Sequence, residues 1–434
     1  MSYTTYGEYK DSKIKWIGEI PKHWRINKLK QYFFIINGST PKNFEENWGG
    51  DICWVTPADY KTTDVYIDNS SRQITKIGLN SCGTTLVPKG SIIVSNRAPI
   101  GTVAIANKEL CTNQGCKSLK VKRDINTKFI YYILSVNENE LNRLGRGTTF
   151  MELSSQDLGT FQIPLAPLPE QNSIVNYLDK KTAKIDATIA KNEELIQLLE
   201  EKRVALINQV VTKGLNPDVP MKDSGVEWIG EIPEHWECRK INTLSSVSRG
   251  ASPRPIDDPI YFDDDGEYSW VRISDVTSSN KYLEQTTEKL STLGKSLSVP
   301  IEPGNIFVSI AATVGKPIIA NIKCCIHDGF VYFKNLNLND EYLFYIFAGG
   351  EAYKGLGKLG TQLNLNTETI GRIHIPVPPK DEQIGIVKYL DYEIEKIDKT
   401  IEKIQKNITL LEEYKTSLIH HVVTGKIDVR SEEI

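Results

Sequence analysis

The sequence predicts an α+β protein: two α/β modules joined by two long antiparallel coiled-coil helices, the whole an internal pseudo-two-fold repeat. Three observations carry that expectation. The segment KDSKIKWIGEIPKHW, Lys10 to Trp24, returns as KDSGVEWIGEIPEHW, Lys222 to Trp236, at an offset of 212 residues. Two long stretches place apolar residues in alternating steps of three and four, the mark of a helix with one buried stripe. Between them lie short β-rich runs punctuated by Gly, Pro and Asn.

The same offset relates Pro164 to Pro376, Glu170-Gln171 to Glu382-Gln383, Ile185-Asp186 to Ile397-Asp398 and Val210-Val211 to Val422-Val423. It divides the chain into a first module over 1–168, a central helix over 169–213, a second module over 214–378 and a C-terminal helix over 379–434. In the first helix the stripe is Ile174, Leu178, Ile185, Ile189, Ile196, Leu199, Leu206 and Val210. In the second it is Ile386, Leu390, Ile397, Ile401, Ile404, Ile408, Leu411, Leu418 and Val422. Seven-residue periodicity held this long is a coiled-coil seam. Pro169 and Pro379 stand where a helix tolerates proline, and Gly214 and Gly425 stand where it should stop. At ~1.5 Å per residue each helix would extend roughly 65 Å, the length of a spacer rather than of a core element. Two helices packing on their own modules would be the simpler alternative. After the second helix the chain reads TGKIDVR, so the unit is circular in logic and the N- and C-terminal segments should lie close together.

Within the modules, DICWVTPADY, LVPKGSIIVSNRAPIGTVAIAN and SLKVKRDI read as strands, and TKFIYYILSV as a helix. KGSIIVSNRAPIGTVAIAN answers to PGNIFVSIAATVGKPIIAN, aligning Gly90, Ser95, Gly101 and Asn107 with Gly304, Ser309, Gly315 and Asn321.

The formal charge of −3 is unevenly spread. Residues 1–168 carry 21 basic against 15 acidic groups, and residues 214–378 carry 15 against 21. A local basic surface, not the total, is what nucleic acid requires. The chain has no run of about 18 apolar residues, and its opening MSYTTYGEYKDSK lacks a hydrophobic signal segment, which predicts a cytoplasmic protein. The seven cysteines include no C-x-x-C pair, as expected of reduced thiols.

Catalytic constellations are absent from the sequence pattern. DDPIYF, Asp257 to Phe262, is a poor match to a D-P-P-Y methyltransferase motif and lacks the glycine-rich methyl-donor loop before it. Gly294-Lys295-Ser296 lacks the upstream glycine of a phosphate loop. The six histidines have no metal-ligand spacing, which predicts no metal site and no catalytic residue. His23 and His235 recur in the P-x-H-W segment, where capping a packed turn beside Trp24 and Trp236 is the expectation.

What recurs instead is polar residues on glycine-rich loops. Ser95-Asn96-Arg97 and Asn113-Gln114-Gly115 face Ser309-Ile310-Ala311 and His327-Asp328-Gly329. Arg can bond a guanine edge bidentately and Asn or Gln an adenine edge, so a changed tip can change the base read. Asn113 and Asp328 could equally satisfy turn backbone. LGRGTTFMELSSQDL, Leu144 to Leu158, answers to LGKLGTQLNLNTETI, Leu356 to Ile370; there Arg146, Thr149 and Lys358 suit phosphate contact, although a helix cap would look similar.

In this order and duplicated, the WIGEIPxHW openings, the S-x-R-x-x-I-G and N-Q-G patches, the G-T-T-F-M-E-L-S and I-P-L-A-P-L-P-E-Q runs and the two helices resemble the specificity subunit of type I restriction-modification systems. The likeness covers essentially the whole chain. It implies two target-recognition domains, each reading one half of a split double-stranded DNA site, and helices that fix their separation. It implies no catalysis and no cofactor in this chain. Two modification (methyltransferase) subunits holding S-adenosylmethionine would dock on the helices, and motor-nuclease restriction subunits would join them. The second module departs from the pattern, having Ser309-Ile310-Ala311 for S-x-R and His327-Asp328-Gly329 for N-Q-G, so Arg249, Arg254, Arg272 and Gln362 become the substitute contacts beside Ser309 and His327. A coiled-coil scaffold for protein partners without DNA, and a solitary methyltransferase, are the rival readings.

Overall fold

The computed structural model describes residues 4–61, 63–97, 99–146, 151–356, 358–359, 362–363 and 365–431, with backbone alone at 358, 359, 362 and 363. The chain forms two compact units, and neither is a sequential half. One unit comprises residues 1–191 with 406–434, and the other residues 192–405. Each therefore contains one module, the N-terminal half of one long helix and the C-terminal half of the other.

The two long helices run over Leu168–Lys213 and Lys380–Val423. The first begins one residue before Pro169, which sits in the first turn where its missing N–H costs nothing. Both end on a glycine in the left-handed region, Gly214 at φ +72° and Gly425 at φ +73°. The seam is buried only toward the helix ends, at Ile174, Leu178, Ile185, Val210, Ile386, Leu390, Ile397, Leu418 and Val422. Ile196, Leu199, Leu206, Ile404, Ile408 and Leu411 are half-buried, as expected where two helices cover each other without a third layer. Inside each unit the helix halves are antiparallel. Asp186 meets Lys415 at 2.6 Å in one, and Asp398 meets Arg203 at 3.0 Å in the other.

Each module is built on a five-stranded sheet. In the first the order is Phe33–Asn37, Cys116–Val121, Ile92–Ser95, Val103–Ala106, Tyr66–Ile67; in the second it is Ser246–Arg249, Phe330–Lys334, Ile306–Ser309, Pro317–Ala320, Tyr282–Leu283. Neighbours are antiparallel except the last pair in each. Ile92, Val94, Val103 and Ile105 alternate inward onto the first core, as period two requires. A helix, Thr127–Ser135 or Asp340–Ala348, lies between that face and the long helices and buries six consecutive side chains, Phe129 to Leu134 and Tyr342 to Phe347; Tyr132 reaches Asp179 and Tyr342 reaches Val211 O on the long-helix side. A smaller sheet packs behind, containing Trp48–Val55 in the first module and Tyr268–Val271 in the second.

The repeated sequence marks repeated contacts. Glu170 accepts from the Trp24 indole at 3.0 Å and from His23 at 2.8 Å. Glu382 accepts from Trp236 at 2.9 Å and from His235 at 2.7 Å. The histidines thus pair with a helix-start carboxylate instead of merely capping a turn. The adjacent Gln171 and Gln383 each bridge the backbone ahead of their own helix (Ala166 O, Pro378 O) to the N–H of Asn126 or Asn339, which caps the module helix. H-W and E-Q are one interlock written in two places. Gly425 closes the first unit against Trp24 and Pro21, and Gly214 closes the second against Trp236. The chain ends do meet: Asp428 donates its N–H to Thr4 O at 2.8 Å, and the Arg430 guanidinium lies 4.8 Å from the Tyr6 ring centre.

Candidate nucleic-acid interface

In each five-stranded sheet the second strand runs against both of its neighbours, so three loops gather at one edge. In the first module these follow Asn37, follow Ser95 and precede Cys116. In the second they follow Arg249, follow Ser309 and precede Phe330. The close approach is fixed by glycine. A Cβ on Gly38 would lie 1.9 Å from Asn113 O, and one on Gly250 would lie 2.1 Å from His327 O. Across the same gap the Thr40 hydroxyl donates to Gln114 Oε1, and the Ser252 hydroxyl to Asp328 Oδ1 at 3.1 Å.

The scaffold is shared but the charges are not. In the first module Glu152 gathers the polar groups. Asn96 Nδ2 donates to it at 2.9 Å, Arg97 Nε and Nη2 reach one of its oxygens at 3.3 and 3.2 Å, and Lys117 Nζ lies 3.9 Å away. Burial holds the Lys117 ammonium below the usual lysine range, against the pull of Glu152. The aligned positions Ile310, Ala311 and Val331 of the second module carry no charge. There the gathering carboxylate is Asp328, on the neighbouring loop. Arg254 Nη2 binds its Oδ2 at 3.0 Å, and the Arg249 Nε donates to its backbone carbonyl. Arg272 pairs with Glu288 at 2.5 Å.

Three of the expected DNA contacts are enclosed in their own loops. Ser95 and Ser309 are wholly buried, and their hydroxyls donate to Pro99 O and Ala311 O within their own loops. Asn96 is equally buried. A side chain enclosed in this way shapes its own loop. Asn113 accepts from Gly115 N–H at 2.9 Å, the turn-stabilising alternative, while Gln114 remains exposed. His327 is held by its own turn, accepting Gly329 N–H on Nδ1 at 2.8 Å and packing 4.6 Å from the Phe330 ring centre. Burial lowers its pKa below the usual histidine value. Arg97, Arg146, Arg249 and Arg254 keep exposed heads; Arg146 binds Asp157 at 3.0 Å. Thr149 lies outside the described residues, as do the side chains of Lys358 and Gln362, whose backbones form a small hairpin.

Glu152, Lys117, Thr40 and Ser252 were not singled out by sequence pattern. Thr40 and Ser252 stand at the repeat offset and could have been found that way. Glu152 has no such signal, because its partners lie 35 to 56 residues away.

The family model described as type I restriction modification DNA specificity domain matches residues 21–197 and again 233–411. The chain belongs to that family. Its two matches coincide with the two copies of the repeat, so the sequence duplication is a pair of specificity domains. Among similar specificity-family members, the type I restriction enzyme MjaIX specificity subunit of Methanocaldococcus jannaschii is 33% identical over 56% of this chain and 56% of its own length. The MjaVIII specificity subunit of the same organism is 24% identical over 98% of each. A solved chain from a study of type I restriction-modification complex assembly and conformational transition has a similar fold, with a TM-score of 0.75, 17% identity and coverage of 94% of this chain and 99% of that one. The HsdS subunit from Thermoanaerobacter tengcongensis gives a TM-score of 0.55 at 18% identity, covering 94% and 98%. Membership in this specificity family assigns the chain a role in DNA sequence specificity within a type I restriction-modification system.

Proposed function

We propose that each module reads one half of a bipartite double-stranded DNA site through the sheet-edge loops, from the major groove, and that the chain catalyses nothing itself. The observation carrying this reading is the contrast between the copies. The Trp–Glu and Asn–Gln interlocks are duplicated, while the charged groups at the shared edge change partners and loops. A reader of two different half-sites needs a constant frame and variable tips. The long helices act as the ruler that sets the unread spacer, as protein geometry sets half-site spacing elsewhere.

Two modification subunits, carrying S-adenosylmethionine for methyl transfer, dock on the helices, and restriction subunits join this assembly. Leu198 and Leu410, repeat mates with each side chain 53% exposed, support such docking because equivalent apolar positions are left open on both helices. The acidic second module indicates that much of the DNA affinity comes from the assembled complex. The working compartment is the cytoplasm; no helix among the described residues is long and apolar enough to cross a membrane. A protein scaffold without DNA does not account for the family match. Methylome sequencing of cells expressing this chain with its modification subunit tests the reading: a split motif with two unrelated halves is expected, and a continuous motif or none would overturn it.

A further inference from the structure

Arg97 offers Nε and Nη2 to Glu152, and among the described residues its Nη1 has no hydrogen-bond partner. One edge of the guanidinium is held and the other is open. Arg254 stands in the same relation to Asp328, with Nη2 engaged at 3.0 Å and Nη1 unpartnered among the described residues. The two carboxylates come from different loops, and neither arginine aligns with the other in the repeat. Yet each module has arrived at an exposed arginine held from one side by a carboxylate at the same sheet edge.

We propose that Glu152 in the first module and Asp328 in the second are specificity-positioning residues. Each fixes one edge of its arginine so that the other meets a base, and each carboxylate charge disfavours contact with phosphate where no matching base is present. This inference rests on the reading that the sheet-edge loops contact DNA. Two physical effects drive it. An arginine already held in place loses less side-chain freedom on binding. A fixed negative charge within a Debye length of the backbone weakens the counterion-release term that dominates nonspecific binding. Glu152 is also shared by Lys117 and Asn96, which prevents it from swinging away with Arg97.

The test uses this chain assembled with its modification subunits and the site found by methylome sequencing. Glu152→Gln keeps the shape and removes the charge. Its preference for the site over scrambled DNA should fall about tenfold, within the range of one bidentate base contact. Affinity for scrambled DNA should rise, and the lost discrimination should lie in the first module's half-site alone. Glu152→Asp should restore part of it, and Asp328→Asn should give the mirror result in the other half-site. Unchanged discrimination, equal relaxation of both half-sites, or uniformly weaker binding with a lowered Tm would overturn the inference. Arg97→Ala separates the two layers. If it relaxes neither half-site, the DNA-reading role of that loop fails; if it relaxes one while Glu152→Gln changes nothing, only the positioning role fails.

Discussion

Asp186 receives the Lys415 ammonium at 2.6 Å, joining residues 229 apart in the chain. Its repeat mate is Asp398, which receives Arg203, the repeat mate of Lys415. The same contact is thus made in each unit with the two helices exchanging roles. Both pairs are partly exposed and contribute no more than about 1 kcal/mol each, so they record the register more than they stabilise it. The stabilising contribution lies in the apolar stripes beside them.

Those two pairs bracket a measurable length. Asp186 to Arg203 and Asp398 to Lys415 are both steps of 17 residues. Deleting one heptad inside each step, Ala187 to Glu193 with Lys399 to Gln405, preserves both pairs, keeps Leu198 and Leu410, and shortens each helix by ~10 Å. Methylome sequencing should then find the same half-sites with a spacer shortened by about three base pairs at ~3.4 Å each. An unchanged spacer would sink the ruler reading.

Arg97→Ala should loosen the half-site read by the first module by about 1–3 kcal/mol and leave the other intact. Competition binding with singly altered half-sites reads this directly. Equal loss at both would assign Arg97 a phosphate or structural role.

Glu170 is buried and accepts from Tyr6, Trp24 and His23. Glu170→Ala strands the Trp24 N–H in the core and should cost about 2–3 kcal/mol in denaturant unfolding. Glu382 is more exposed and lacks a third partner comparable to Tyr6 among the described residues, so Glu382→Ala should cost less. Equal costs would show that burial does not govern this interlock.

Leu198→Glu and Leu410→Glu place a charge on exposed helix surface and should change Tm little. Each should weaken one modification-subunit contact, and the double variant should leave the chain without bound partner in size-exclusion chromatography. Full assembly by the double variant would locate docking elsewhere.

His327 has a pKa lowered chiefly by burial, with Arg272 and Arg249 opposing its proton and Asp328 favouring it. A neutral Nδ1 accepts Gly329 N–H, and protonation would remove that acceptor. Because the unfolded state binds the proton more readily, stability is fully present above about pH 6.5 and falls as pH drops below it. His327→Asn, whose amide oxygen can still accept, should flatten the stability profile below about pH 6.5. An unaltered slope would remove His327 as its source.

Legibility followed the range of the interactions. The helices could be read in outline because their periodicity is local, and their stop positions because Gly214 and Gly425 adopt a backbone few other residues tolerate. The edge loops were found by comparing copies, but the burial of Ser95, Asn96 and Ser309 within them was not legible. A serine on a loop looks the same in sequence whether it faces solvent or bonds its own turn.

The sequence by itself determined the duplication, the two long helices, the module strands and the family, all of which rest on residue spacing within one copy or on the offset between copies. Tertiary structure alone decided that each compact unit borrows half a helix from the other copy, that Glu170 and Glu382 are the partners of the H-W tryptophans, and that Glu152 and Asp328 hold the exposed arginines. Those facts depend on burial and on charges brought together across 35 to 229 residues, and no periodicity records what a side chain meets at that distance.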